Sequence, residues 1–186
     1  MIHEWRSYRL KPGAASDYLA LLAERGLPLV TRHLPLMGYW LAETGPLNTI
    51  HHLWSYADWT ERESRRAALA QEEGWTRGFI PAAFALVDAQ QNRFLRLDRA
   101  SPRFHAALAG RLRAHAAPAP GAALFAADCA ALVIGADPAG AEALWQPVSG
   151  DARGPVALMP RSAEPVPAAP QPGRHVILRP LAFSPL

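Results

Sequence analysis

The sequence has a single cysteine, Cys129, and a single lysine, Lys11, in its 186 residues. One cysteine excludes an intrachain disulfide. No apolar run approaches the roughly 20 residues that a membrane-crossing helix needs. The chain starts in a strand-like segment, without the basic and then apolar stretches of a secretory signal. From these absences we expect a cytoplasmic protein with no membrane partner.

Positive charge is present but dispersed. The formal net charge is +3, and the arginines are spread from Arg6 to Arg179 instead of forming a cluster. A protein that follows a phosphate backbone needs a basic patch or stripe. We therefore expect no nucleic-acid partner.

The N-terminal segment 2–10 alternates in the manner of a β-strand, and its even positions are Glu4, Arg6 and Tyr8. Because successive strand residues point to opposite faces of a sheet, these three side chains should share one face. The pattern predicts a first strand with a polar and aromatic stripe.

A second stripe lies in the segment 43–56, where a Gly-Pro turn leads into a strand that carries His52, Trp54 and Tyr56 at alternate positions. These side chains should also share one face. The preceding residue, His51, should point the other way, so the His-His pair cannot chelate one metal ion.

If the two strands are neighbours, their stripes bring together an acid, a guanidinium, an imidazole, an indole and two phenols. Burying such a group in a plain core is costly, which favours a ligand-sized cavity. The structural alternatives stay open at this point: Glu4 and Arg6 as an ion pair that orients the sheet, His52 as a core histidine, and Trp54 and Tyr56 as core aromatics.

Several short motifs, in order, carry a family resemblance: EWRSYRLKPG (4–13), RHL (32–34), GY (38–39), GPLN (45–48), HLWSY (52–56) and NRFLR (92–96). On these residues, the segment 1–97 resembles a NIPSNAP domain. The resemblance implies an α+β, ferredoxin-like βαββαβ fold of the dimeric α/β barrel superfamily. It implies no known reaction, since bacterial members of the family are mostly without an assigned activity.

Local patterns agree with that element order. We expect a first helix over 14–25 that stops at Gly26, a second strand over 37–43, and a helix that begins at Asp58, with Glu61 completing a capping box. The stretch 75–89 is an apolar, less regular connection. The fourth strand is expected over 92–97.

After Ser101 the composition becomes rich in alanine and proline, with 160–172 predicted as an extended loop. The segment 94–97 is echoed at 177–180, and the third strand, 51–58, can be laid over 130–137. Helices are expected over 103–116 and 138–145. We therefore divide the chain into domains 1–99 and 100–186, with the second a degenerate ferredoxin-like copy that covers the first sheet in a tandem pseudo-dimer.

Two functions fit this site. The first is binding of an unknown small molecule, with Tyr8, Trp54 and Tyr56 as ligand contacts. The alternative is a cofactor-independent isomerase or monooxygenase, in which His52 or Glu4 moves a proton and Arg6 stabilises an oxyanion. The sequence has no Gly-rich phosphate loop and no second His or Cys cluster, so we expect neither cofactor nor metal. A homo-oligomer is compatible with this interpretation.

Overall fold

In the computed structural model, the strands form one closed eight-stranded barrel in the order β1-β3-β2-β8-β5-β7-β6-β4. The structure describes residues 1–151, 153–168 and 172–186. The strands are β1 (Ile2–Leu10), β2 (Leu36–Ala42), β3 (Thr49–Tyr56), β4 (Val87–Ala100), β5 (Cys129–Ile134), β6 (Ala143–Ser149), β7 (Val156–Ser162) and β8 (Arg174–Pro180). The helices are α1 (Ala15–Leu21), α2 (Leu27–Val30), α3 (Trp59–Ala70), α4 (Ile80–Phe84) and α5 (Pro102–Ala109), with π-helical turns at Leu22–Gly26 and Gly74–Phe79. Among the described residues, no helix has the length and apolar character that crossing a bilayer requires.

The first half has the element order βαββαβ that the sequence predicts, and its strands lie in the order β4-β1-β3-β2. The predicted cap at Asp58 is present: its carboxylate accepts from the Glu61 amide at 2.8 Å. The predicted helix stop at Gly26 is wrong, because the helical path continues to Val30. Packing requires glycine at position 26, because a Cβ there would lie 2.6 Å from the Phe79 ring.

The sheet of the first half has two different faces. One face packs against the helices and contributes Tyr8, Trp54 and Tyr56 to their shared apolar cluster. The other face lies inside the barrel, where Trp5 stacks on Trp40 with ring centroids 5.3 Å apart. Strand alternation thus separates a helix-covered layer from the barrel core.

The second half supplies the other four strands, in the order β8-β5-β7-β6. The pairs β2–β8 and β4–β6 join the two halves and close the barrel. The second half therefore covers the interior face of the first sheet. The polar, site-bearing face of that sheet is covered by the first half's own helices.

Several local predictions for the second half are also wrong. The helix expected over 138–145 is absent, and Trp145 lies in β6 with its side chain fully buried in the barrel core. The helix expected over 103–116 ends at Ala109. By position, β5 lies between β8 and β7 as β1 lies between β4 and β3, so the first strand does have a positional counterpart and 130–137 does not match β3.

The predicted extended loop at 160–172 begins later than expected, because β7 extends to Ser162. Residues 163–168 and 172–173 belong to no helix or strand, and residues 169–171 of that prediction lie outside the described residues. The predicted domain boundary after residue 99 falls at the end of β4, which itself pairs with β6 of the second half.

Candidate functional site

A cavity of about 270 Å³ lies between the helix-covered face of the first sheet and the helices above it. Strand pairing sets its floor, because Arg6 lies opposite His52 on β1 and β3, and Tyr8 lies opposite Gln90 on β1 and β4. All of the lining comes from the first half: Arg6, Tyr8, Tyr18, Leu22, Val30, Leu34, Tyr39, His52, Trp54, Arg66, Leu69, Trp75, Ile80, Phe84 and Gln90.

His52 has one nitrogen fixed by its neighbour on the strand. The Trp54 indole Nε1–H donates to His52 Nδ1 at 2.6 Å. An indole nitrogen can only donate, so Nδ1 must carry a lone pair and the proton of the neutral ring must lie on Nε2. Nε2 is buried and has no hydrogen-bond partner among the described residues. His52 thus presents an unused N–H donor.

The imidazole of His52 packs against two aromatic rings. Tyr39 stacks on it with centroids 4.9 Å apart, and Tyr8 meets it edge-on at 4.8 Å. Burial holds the pKa of His52 well below its ordinary value, and the charge of Arg6 acts in the same direction. At neutral pH the ring is therefore uncharged.

Glu4 lies beneath the cavity, where two guanidinium groups hold it. Arg62 donates to both carboxylate oxygens, at 3.0 and 3.1 Å, and Arg6 donates to Oε1 at 2.9 Å. Burial would raise the pKa of Glu4, but the Arg62 hydrogen bonds and the surrounding arginine charges outweigh it and lower that pKa. Glu4 is an ionised, fully occupied acceptor.

Arg6 connects this ion-pair cluster with the cavity wall. Besides Glu4, it donates to the Tyr8 hydroxyl at 3.0 Å and to Gln90 at 3.4 Å. Arg66, from α3, lines the cavity as well, and it makes no ion pair or side-chain hydrogen bond with any described residue. None of the described lining residues carries a carboxylate. The lining is therefore cationic on its polar side and apolar elsewhere.

The structure brings together four of the six predicted site residues: Arg6, Tyr8, His52 and Trp54 line one cavity. Glu4 and Tyr56 share the sheet face but do not line the cavity. The Tyr56 hydroxyl is buried and has no hydrogen-bond partner in the described part of the chain, and burial raises its pKa.

Sequence reasoning missed lining residues that come from other elements. Tyr18 and Tyr39 place their hydroxyls 3.5 Å apart, and burial raises the pKa of both. Tyr39 lies in the Gly-Tyr motif, which was a signal for its importance. No sequence signal pointed to Arg66 or Gln90, because only the packing of α3 and the pairing of β4 bring them to the cavity. Across the described ranges, no three His, Cys, Asp or Glu side chains lie close enough to hold a metal ion.

Comparison with solved structures identifies NIPSNAP proteins that match about half of the chain. A NIPSNAP family protein of unknown function from Agrobacterium tumefaciens is 36% identical, with a TM-score of 0.52, and the match covers 55% of this chain and 92% of that one. An uncharacterised NIPSNAP domain protein from Burkholderia xenovorans is 29% identical, with a TM-score of 0.52 over 55% of this chain and 99% of that one. An anthrone oxidase-like protein is 8% identical with a TM-score of 0.52, covering 98% of this chain and 91% of that one, and this likeness concerns the fold alone.

Comparison of sequences gives the family. Human NipSnap homolog 3A is 37% identical over 93 residues, and the match covers 50% of this chain and 37% of the human protein. The chain thus spans little more than a third of that relative's length. The NIPSNAP family profile matches residues 3–102, which is more than half of the chain. The resemblance in its N-terminal motifs is therefore confirmed: the chain belongs to the NIPSNAP family.

Proposed function

We propose that this protein binds a small, largely planar organic anion in the cavity between the first sheet and its helices. The observation that carries the proposal is the buried Nε2–H of His52, which has no partner among the described residues and lies in a cavity wall whose described lining holds two arginines and no carboxylate. A buried donor without a partner is costly, and an oxygen acceptor on a ligand removes that cost.

Charge favours an anionic ligand over a neutral one. Glu4 and Glu63 together offset the charges of Arg6 and Arg62, whereas Arg66 has no counter-ion among the described residues. A carboxylate, phenolate or enolate oxygen near Arg66 supplies that missing charge. Its bond to a guanidinium is strengthened by the surrounding apolar walls.

Size and shape favour an aromatic body with one or two rings. The volume of about 270 Å³ lies at the small end of ligand cavities. Leu22, Leu34, Leu69 and Phe84 supply apolar walls, and Trp75 adds a further aromatic surface. A planar hydrocarbon body fits such walls, with its acid group directed to the arginine side.

The geometry gives less support to the alternative function, proton-transfer catalysis. A general base needs a free lone pair, but His52 Nδ1 is occupied by Trp54 and Glu4 is occupied by two arginines. We infer that His52 acts as a hydrogen-bond donor, that Arg6 and Tyr8 shape the polar wall, and that Glu4 positions Arg6. An enzymatic role for the family's barrel fold stays a second proposal.

The second half resembles the first in the arrangement of its strands. Its strand order, fourth-first-third-second, repeats that of the first half without the two intervening helices. We infer a tandem arrangement of two ferredoxin-like units, 1–99 and 100–186, in which the second lacks the helices between its strands and closes the barrel. Ligand binding would then need no partner subunit, since the first half alone lines the cavity. A cytoplasmic location and a possible homo-oligomer remain predictions.

A fluorescence titration tests the proposed function. Naphthoate is the probe, naphthamide is its uncharged analogue, and quenching of the cavity indoles Trp54 and Trp75 is the signal. We expect saturable binding of naphthoate and at least about tenfold weaker binding of naphthamide, because a charge-assisted bond is lost.

Arg66→Gln should lower the affinity for naphthoate to that of the wild-type protein for naphthamide. Arg96→Gln, an exposed arginine on β4, is the matched control and should change nothing. Equal affinity for acid and amide in the wild-type protein, or equal weakening by both substitutions, would contradict an anion site in this cavity.

A further inference from the structure

A second polar pocket lies on the opposite side of the same β-ribbon, at one end of the barrel. Its volume is about 230 Å³, and its lining includes Ser7, His51, Gln91, Arg93 and Arg174. Ser7 and His51 pair across β1 and β3 with their side chains on the barrel side, so this pocket is distinct from the cavity that His52 lines. None of these residues has a role in the proposed binding of aromatic anions.

Hydrogen bonds inside the barrel fix His51 in one tautomer. The Trp5 indole donates to His51 Nδ1 at 3.2 Å, and Ser7 Oγ lies 2.8 Å from the same nitrogen. Nδ1 is therefore the acceptor and the ring proton lies on Nε2. No described residue accepts from Nε2, although the side chain is only 6% exposed. His51 lines the pocket with a spare N–H donor.

Arg93 provides a buried cation beside it. The side chain is held by Asp151 at 2.7 Å and by Gln91 at 3.3 Å, and it is 8% exposed. The backbone also packs closely here, since a Cβ on Gly150 would lie 3.1 Å from Arg93 Cγ. Gly150 adopts a φ of +107°, which favours glycine. The guanidinium is thus pre-positioned by its surroundings.

Arg174, at the start of β8, completes the pocket from the second half. It has no ion pair with any described residue, whereas Arg9 at the rim is paired with Asp88. With Arg93 offset by Asp151, the pocket keeps one uncompensated positive charge. Donors therefore approach the same space from β3, β4 and β8.

We propose that this barrel-end pocket binds a small tetrahedral oxyanion of the phosphate class, either free phosphate or a small phosphate monoester. Such an anion accepts hydrogen bonds from several directions at once, as donors on three strands require. His51 Nε2–H and the guanidinium groups of Arg93 and Arg174 are the donors. Since Arg174 belongs to the second half, the site exists only when the barrel is closed.

Phosphate titration with two readouts tests this proposal. Isothermal titration with inorganic phosphate and with methyl phosphate measures affinity, and ¹⁵N NMR of the histidine rings reports His51 Nε2. We expect saturable binding with a coincident shift of the His51 Nε2–H resonance. Tighter binding of the monoester would identify an ester as the preferred ligand, and tighter binding of inorganic phosphate would identify the free ion.

Arg174→Gln should lower phosphate affinity by about tenfold or more, because a hydrogen bond to a charged group is lost. Arg174 is exposed, so the fold should be retained. Arg96→Gln controls for net charge, and Arg66→Gln, which removes one of the two arginines of the other cavity, should leave phosphate binding intact. Binding without a His51 shift, equal loss in Arg174→Gln and Arg96→Gln, or no saturable binding at all would overturn the proposal.

Discussion

The indole of Trp54 donates to Nδ1 of His52 over 2.6 Å, two positions along the same strand face. This bond decides which imidazole nitrogen carries the proton and so turns His52 into a donor toward the cavity. Trp54 is thereby a positioning residue for His52 as well as part of the cavity wall.

Trp54→Phe tests that relationship. The substitution keeps an aromatic ring but removes the N–H, which leaves a buried acceptor without its partner. We expect the free energy of unfolding to fall by about 1–3 kcal/mol. We also expect the ¹⁵N spectrum of His52 to show a mixture of tautomers in place of the single Nε2–H form. An unchanged spectrum would mean that the Trp54 bond does not set the tautomer.

His52→Ala separates a binding role from a purely structural one. Loss of the Nε2–H donor should weaken naphthoate binding by about tenfold or more, as expected for a hydrogen bond to a charged group. Loss of the stacked ring should also lower stability. His52→Phe keeps the ring against Tyr39 and should show the same loss of affinity. A sharply lower melting temperature with an unchanged ligand profile in both variants would refute a site role for His52.

Glu4→Gln tests the buried ion-pair cluster. The change removes the charge that Arg6 and Arg62 share, which leaves Arg6 without an ion-pair partner and Arg62 with only the exposed Glu63. We expect a loss of about 3 kcal/mol in urea denaturation, typical of breaking one side of a buried pair. The control is Glu24→Gln, since Glu24 forms a 3.8 Å pair with Arg25 on the exposed surface. It should change stability little. Similar effects of both variants would show that the Glu4 cluster contributes no more than a surface pair.

Acid should destabilise the fold through its buried histidines. Burial lowers the pKa of His3 to about 4, with the N-terminal charge adding to it, and burial lowers the pKa of His51 to about 3. The unfolded chain takes up these protons near pH 6.5, so it binds more protons than the folded state below that pH. The free energy of unfolding should therefore be highest above about pH 6.5 and should fall as the pH drops toward 4. The expected slope is about 1.4 kcal/mol per pH unit for each such histidine.

Urea denaturation across that pH range measures this dependence. His3→Gln should flatten the profile, because it removes one proton-uptake site of the unfolded chain. His105→Gln, at an exposed position on α5, serves as the control and should leave the profile unchanged. Stability that stays constant or rises on acidification would show that these histidines are not held neutral in the folded protein.

Strand parity could be predicted from the sequence because it is a local property. The alternation along β1 and β3 placed Arg6, Tyr8, His52 and Trp54 on one face, and the structure pairs the two strands in that register. The partners of these residues could not be predicted in the same way. Arg62 reaches Glu4 from 58 positions away, whereas Glu61 and Arg65, one turn apart on the same helix, form a local pair.

The second half shows where composition misleads. The alanine-rich stretch around Trp145 has helical propensity, but burial of the indole against Trp5 and Phe104 inside the barrel fixes it as a strand. Gly26 likewise has the signature of a helix end, whereas close approach of Phe79 is the reason for the glycine. In both cases tertiary packing, which no local window contains, outweighs propensity.

The most direct test of the ligand site is the ¹⁵N NMR signal of His52 Nε2 during naphthoate titration of the full chain. We expect the Nε2–H resonance to shift downfield as its proton finds an acceptor, and the shift to saturate together with the fluorescence signal. Arg66→Gln should move both curves to higher naphthoate concentration. Saturable naphthoate binding that leaves the His52 Nε2–H resonance unmoved would contradict the central claim, because the ligand would then lie outside this cavity.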